Sequence, residues 1–487
     1  MKKNIPQTFK IARFALNTDY DNLPVETTDQ LKKHLLDSVG SMIHAAGTPV
    51  IGKLSRQIKA LSNGGKYNIP FLGKTSVDRG AQFYTALNRY PDFMDNFLGK
   101  EATCHPSDNI GALLAASQIT NARGKDFLTA MAIGYEIECR LIEELPVMIE
   151  GFDHCLLLGI SLTAALCKIF SLSEEATAHA IAIASSSITP LVSCRASYTY
   201  EWKGFLSSLV ALNCMNTVLL AREGMTGPIN LFEGPKGYKD AFDMELKYDW
   251  KKDKFQLIKK CILKSYNAEV HTQSLVEAAL ELRDQYKINA AEIDKIEATT
   301  FLTAYHIVGG GEYGDRTNVQ SKEQADHSLP YVLAVSLLDG QLYPEQFLPK
   351  RIVKEDVQRL LKKVKVHTKF PLHKPVKVAG VLDPYTAAYP EKLMGKLVIR
   401  LKNGKEYSLE KEDYYGFFTR PISWEDVHKK FKKLTSKKMD ISLQEAFIEK
   451  IMNLEKGNMR DLLFLLEKAA KQKRPGATQM NKYKKAS

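Results

Sequence analysis

Three stretches of this chain, at 156–170, 174–186 and 204–222, carry apolar or small side chains on nearly every face when wound as helices. A helix that is apolar all round cannot lie on a protein surface and belongs in the middle of a bundle. The most apolar runs, 155–170 and 205–221, fall short of the roughly 20 residues a membrane span needs, and the second contains Asn213 and Asn216. Residues 4–21 hold no sustained apolar run behind Lys2 and Lys3, so no signal peptide is expected. The reading is a cytoplasmic protein with a large helical core. Its 487 residues, 44% of them hydrophobic, supply enough apolar material for two to four domains and exclude a disordered or fibrous chain.

More helices flank the apolar three. Pro24 opens one in which Leu31, Leu35, Val39 and Met42 recur at helical spacing, and Gly47 closes it. Ser107 or Asp108 can cap another, and Ser173 with Glu174 and Glu175 starts a third. After His271 the pattern changes. Residues 272–286 read as an amphipathic helix, 293–301 and 364–368 as strands, and 325–338 and 353–361 as helices. Residues 397–409 read as a hairpin with Asn403-Gly404 in a type I′ turn. Helices return after Ser423. The expected fold is mainly α: a large all-helical domain (1–268 and 410–487) with a smaller α+β lid domain (269–409) inserted before the C-terminal helices.

Seven cysteines are present, none at C-x-x-C spacing, and no P-loop, G-x-G-x-x-G or H-E-x-x-H motif occurs. The cysteines therefore read as reduced core residues, and neither a metal nor another cofactor is expected. Half of the net charge of +12 sits in Lys471, Lys473, Arg474, Lys482, Lys484 and Lys485, a basic tail without acids. Such a tail reads as a solvated terminus, so no nucleic-acid partner and no membrane partner is expected.

Candidate chemistry gathers at a few polar groups. His105 precedes a helix N-terminus, a place that favours anions. Asp153-His154 stands at the mouth of a buried helix, and His271 opens the helix that enters the α+β region. Asp92, Asp95 and Asn96 share one face if helical. Lys203 begins an apolar helix, as either a snorkelling or a pocket cation.

Several blocks, in order, resemble the MmgE/PrpD family, which includes 2-methylcitrate dehydratases and cis-aconitate decarboxylases. They are Asp37-Ser-Val-Gly40, His105-Pro-Ser-Asp-Asn109, Gly151-Phe-Asp-His154, Trp202-Lys-Gly204, Ala268-Glu-Val-His-Thr-Gln273, Ala325-Asp-His-Ser-Leu-Pro-Tyr331, and Tyr415-Gly with Arg420-Pro421. The resemblance implies a homodimer acting on a tricarboxylate. It implies His105, His271 and Asp92 as proton-transfer groups, and His154, Lys203 and Tyr331 as substrate-binding groups. Where relatives often carry a threonine, this chain has Asn96. The wording around His105 and His271 is more like the dehydratases, which implies loss of water from 2-methylcitrate to give 2-methyl-cis-aconitate, as in propionate catabolism, by metal-independent acid–base catalysis. Decarboxylation of cis-aconitate, or isomerisation or epimerisation of a related diacid, is the alternative.

Overall fold

The computed structural model describes residues 5–472 apart from 63, 101, 197, 253–254 and 370–381. Most of the basic tail, from Lys473 onward, lies outside these described residues. The chain forms two compact units. The first comprises residues up to Leu191, then Gly204–Cys261, then the chain from Ser423; the second comprises Val192–Lys203 and Ile262–Ile422. The second unit is thus wider at both ends than the expected 269–409, and it takes in a segment from the first half of the chain. No helix among the described residues is long and apolar enough to cross a membrane.

In the first unit the helix Cys155–Ile169 is buried along almost its whole length. It touches Gly124–Glu144, Leu206–Arg222, Glu174–Ser187 and Asp108–Thr120. This is the central place that its all-round apolar surface requires. Small residues allow close approach: a Cβ on Gly111 would lie 2.3 Å from the Thr85 backbone nitrogen. Ser173 caps its helix by accepting from the Ala176 N–H, and Asn121 ends the helix that follows His105 in a left-handed conformation. The unit is not wholly helical. Two short antiparallel ribbons pair Tyr67–Ile69 with Gly73–Thr75 and Phe97–Leu98 with Thr103–Cys104. These strands are two or three residues long, too short to show an alternating pattern in sequence.

The second unit is built on a four-stranded sheet in the order Val364–Thr368, Ile293–Thr300, Gly395–Leu401, Glu406–Lys411. The first pair is parallel and the other two are antiparallel. The helix Gln273–Tyr286 packs on the two hairpin strands and on the helix Leu329–Asp339. The expected single helix at 325–338 is two, Lys322–Ala325 and Leu329–Asp339. Pro330 has no N–H to continue an incoming helix but suits a first turn, and Ser328 caps the second helix by accepting from the Tyr331 N–H. The type I′ turn is also corrected. Gly404 has positive φ but Asn403 does not, and the Leu401 N–H reaches across to the Lys405 carbonyl. The loop is one that needs a single left-handed residue.

Candidate active site

In the first unit the site begins where the helix Val77–Arg89 stops. Pro91 cannot join the helix, and Asp92 takes a left-handed φ of 56°. The expected helical face of Asp92, Asp95 and Asn96 is therefore a loop. Its shape puts Arg89, almost wholly buried, among polar groups. Arg89 Nη1 donates to Asp92 Oδ1 at 3.1 Å and Nη2 lies 3.0 Å from His105 Nε2. Nε lies 3.8 Å from Asp108 Oδ2. His105 Nδ1 lies 2.8 Å from the Asp95 carbonyl oxygen. A carbonyl can only accept, so Nδ1 carries the proton and Nε2 receives the guanidinium.

Asp95 holds this loop together. Its carboxylate meets His34 Nδ1 at 2.6 Å, the Ser107 N–H at 3.0 Å and the Tyr135 hydroxyl at 2.7 Å. Burial pushes its carboxyl up, but these partners outweigh burial and hold it below the usual carboxylate range. From the C-terminal helices, Lys430 pairs with Asp37 at 2.7 Å and donates to the Phe93 carbonyl at 2.8 Å. His154 is buried before the helix Cys155–Ile169, its ring edge-on to His105 with centroids 5.3 Å apart. Asp153, His154 and Cys155 bring a carboxylate, an imidazole and a thiol within 4.8 Å of one another, a donor set able to reach a metal ion. Asn96 is buried, and its Oδ1 has no hydrogen-bond partner among the described residues.

The second unit carries a different set. Lys203 sits in a short turn, Glu201–Gly204, ahead of the helix it was expected to begin, and is buried. Its Nζ is 3.2 Å from His327 Nδ1, and that nitrogen is 2.6 Å from Asp326 Oδ1. Lys322 holds the other oxygen of Asp326 at 2.7 Å. Burial raises the Asp326 carboxyl, but Lys322, Lys203 and His327 prevail and keep it ionised. The Glu269 N–H donates to the Asp326 backbone carbonyl at 3.0 Å, tying this pair to a second one. Glu269 Oε1 meets His271 Nδ1 at 2.8 Å, and Oε2 accepts the His271 N–H at 2.8 Å. His271 Nε2 lies 3.2 Å from the Tyr389 hydroxyl. Burial raises the Glu269 carboxyl, yet His271, His327 and Lys264 bring it down to about 2. Burial, then Glu269, pushes the Tyr389 phenol up, so it stays protonated and can donate.

The structure therefore brings Asp92, His105 and His154 into one buried neighbourhood of the first unit, and Lys203 and His271 into one of the second. Tyr331 is placed differently. Its ring packs on Phe347 and its hydroxyl donates to the Gln346 carbonyl. Sequence reasoning passed over Arg89, Glu269, Asp326, His327 and Tyr389. Glu269 sits two residues from His271, and Asp326-His327 stands beside Tyr331, so both carboxylate–histidine pairs were spelled in the motif blocks. Nothing in the sequence marks Arg89, and Tyr389 is distant in the chain from His271.

A model of the MmgE/PrpD N-terminal domain matches residues 9–251, and one of the C-terminal domain matches residues 266–456. The cis-aconitate decarboxylase of Mus musculus is 24% identical over 448 residues, covering 87% of this chain and 86% of its own length. The 2-methylcitrate dehydratase of Escherichia coli K12 is 28% identical over 274 residues, 53% of this chain and 56% of that one. The mitochondrial 2-methylcitrate dehydratase of Yarrowia lipolytica is 29% identical over 292 residues, 55% and 54%. The match to these dehydratases thus spans about half of each chain.

Proposed function

The chain belongs to the MmgE/PrpD family, and from that premise we propose that it is a lyase that removes water from 2-methylcitrate to give 2-methyl-cis-aconitate. The observation that carries this reading is the Glu269–His271 pair. Elimination beside a carboxylate needs a base for a carbon-bound proton, a donor for the departing hydroxyl and positive or hydrogen-bonding groups for the substrate's charges. Glu269 fixes His271 with its proton on Nδ1, which makes Nε2 the atom that takes a proton. Lys203 supplies a buried cation for a substrate carboxylate, and Tyr389 a hydrogen-bond donor. In the first unit Asp92 is a further proposed proton-transfer group, and Arg89, held by His105, and His154 offer donors to carboxylates. No step in this scheme requires a cofactor.

Decarboxylation of cis-aconitate is the second reading, favoured by similarity to the decarboxylase over 87% of this chain. Both reactions need buried acid–base groups and carboxylate binders, so one experiment separates them. The purified protein is incubated with 2-methylcitrate, citrate and cis-aconitate while alkene absorbance and released carbon dioxide are followed. Alkene from 2-methylcitrate without carbon dioxide supports the dehydratase. Carbon dioxide from cis-aconitate supports the decarboxylase.

A further inference from the structure

The Asp326–His327 pair repeats the arrangement of Glu269–His271 within the same unit. In each, a carboxylate oxygen lies 2.6–2.8 Å from Nδ1 of a buried histidine. In each, the carboxyl is held below its ordinary range despite burial. The two are joined by the hydrogen bond from the Glu269 N–H to the Asp326 carbonyl. A buried acid pair of this kind is costly to fold unless its geometry is good. Lysines on two sides, Lys322 and Lys203, hold the Asp326 end in place. With its Nδ1 proton directed at Asp326, the His327 ring exchanges protons at Nε2.

We propose that His327, oriented by Asp326 beside Lys203, is a further catalytic group of the second unit, one that hydrogen-bonds the substrate hydroxyl and protonates it as it leaves. The inference rests on the dehydratase reading. Lys203, with Nζ 3.2 Å from Nδ1 of the same imidazole, is the cation proposed to hold a substrate carboxylate beside the pair, while Nε2 meets the hydroxyl. His271 Nε2 takes the carbon-bound proton, the electron pair of that bond becomes the new C=C bond, and the C–O bond breaks. The oxygen leaves with its own hydrogen and the proton from His327 Nε2, as water. One imidazole has gained a proton and the other has lost one, and exchange with solvent resets both. Asp326 is the positioning residue of the set.

The test compares citrate with tricarballylate, two tricarboxylates that differ only in the hydroxyl. Binding to the full chain is measured by calorimetry, and kcat and KM are measured with 2-methylcitrate. A lost hydrogen bond to a charged group is worth about tenfold or more, so wild type should bind citrate about tenfold tighter than tricarballylate. His327→Asn keeps an amide nitrogen near the Nδ1 position, for Asp326, and removes Nε2. It should abolish the citrate preference, leave tricarballylate nearly unchanged and lower kcat by about 10²–10⁴-fold. His327→Gln places an amide nitrogen near Nε2 and should regain part of the citrate preference without regaining kcat, because an amide does not transfer protons. Asp326→Asn should lower kcat, and Asp326→Glu should recover part of it. Circular dichroism confirms folding, and the glutamine variant serves if the asparagine variant does not fold. A folded His327→Asn protein that keeps the citrate preference and wild-type kcat overturns the inference, as does a wild type that binds neither acid or both equally. If wild type turns over none of the three acids named above, the dehydratase reading falls, while the citrate and tricarballylate comparison still decides the contact at His327.

Discussion

His105 in the first unit and His271 in the second are both buried, and both have a partner on Nδ1, yet they are held in opposite ways. His105 donates to a backbone carbonyl and faces the guanidinium of Arg89 with Nε2. His271 is gripped by the two oxygens of Glu269 and faces a phenol. A guanidinium has five N–H donors and no acceptor, so the first arrangement favours an anion and hydrogen-bond acceptors. A carboxylate on Nδ1 fixes one tautomer and accompanies the imidazole through gain and loss of a proton. In the scheme proposed above, the same side chain serves binding in one unit and proton transfer in the other.

The largest effect should come from His271→Ala, with kcat lowered about 10²–10⁴-fold and KM little changed, since proton transfer is felt in the transition state. His105→Ala should instead act more on KM than on kcat. Steady-state kinetics on both variants check this, and equal losses of kcat with unchanged KM in the two would break the contrast. Next comes Lys203→Met. A lost charged hydrogen bond costs roughly 2–3 kcal/mol, or about 30- to 150-fold in kcat/KM, carried mainly by KM. A folded variant with wild-type kcat/KM would remove Lys203 from the binding set.

A smaller effect, independent of turnover, concerns Glu269. Its folded carboxyl titrates at about 2, against 4.5 for the ordinary group. A depressed carboxyl contributes stability that is present above its unfolded value and lost as pH falls through its folded one. The contribution is roughly 3 kcal/mol above pH 4.5, disappearing between pH 4.5 and about 2. Urea unfolding of wild type and Glu269→Gln at pH 6 and pH 3 should show the gap between them closing at the lower pH. A gap of constant size would mean that the pair with His271 does not lower this carboxyl. The smallest effect expected is none at all. Dialysis against a chelator should leave turnover unchanged, because proton transfer in this scheme runs through side chains. Loss of activity restored by zinc or iron would redirect attention to Asp153, His154 and Cys155.

Much of this was legible. Helices whose apolar surface exceeds one stripe can only be central, so Cys155–Ile169 was readable as a bundle core. Strands of five to eight residues showed themselves by alternation, whereas ribbons of two or three residues did not. Asp92 was readable as a candidate residue but not as a left-handed loop residue, because its φ belongs to the loop that follows the end of the helix Val77–Arg89. Asn96 was visible as a departure from relatives, but not as a buried amide whose oxygen is unmatched among the described residues. Tyr331 was visible as a motif residue, while its bond to Gln346 depends on a turn fifteen residues on.

The sequence by itself determined the helical core, the change to α+β architecture beyond His271, the family, and some of the polar residues that gather in the two buried neighbourhoods. Local pattern suffices there, because periodicity, caps and motif wording are properties of neighbours along the chain. Tertiary structure alone decided that Arg89 faces His105, that Tyr389 faces His271 from 118 residues away, and that His327 stands against Lys203 from 124 residues away. A hydrogen bond is settled over about 3 Å of space, and separation in the chain does not encode which buried donors and acceptors will meet at that distance.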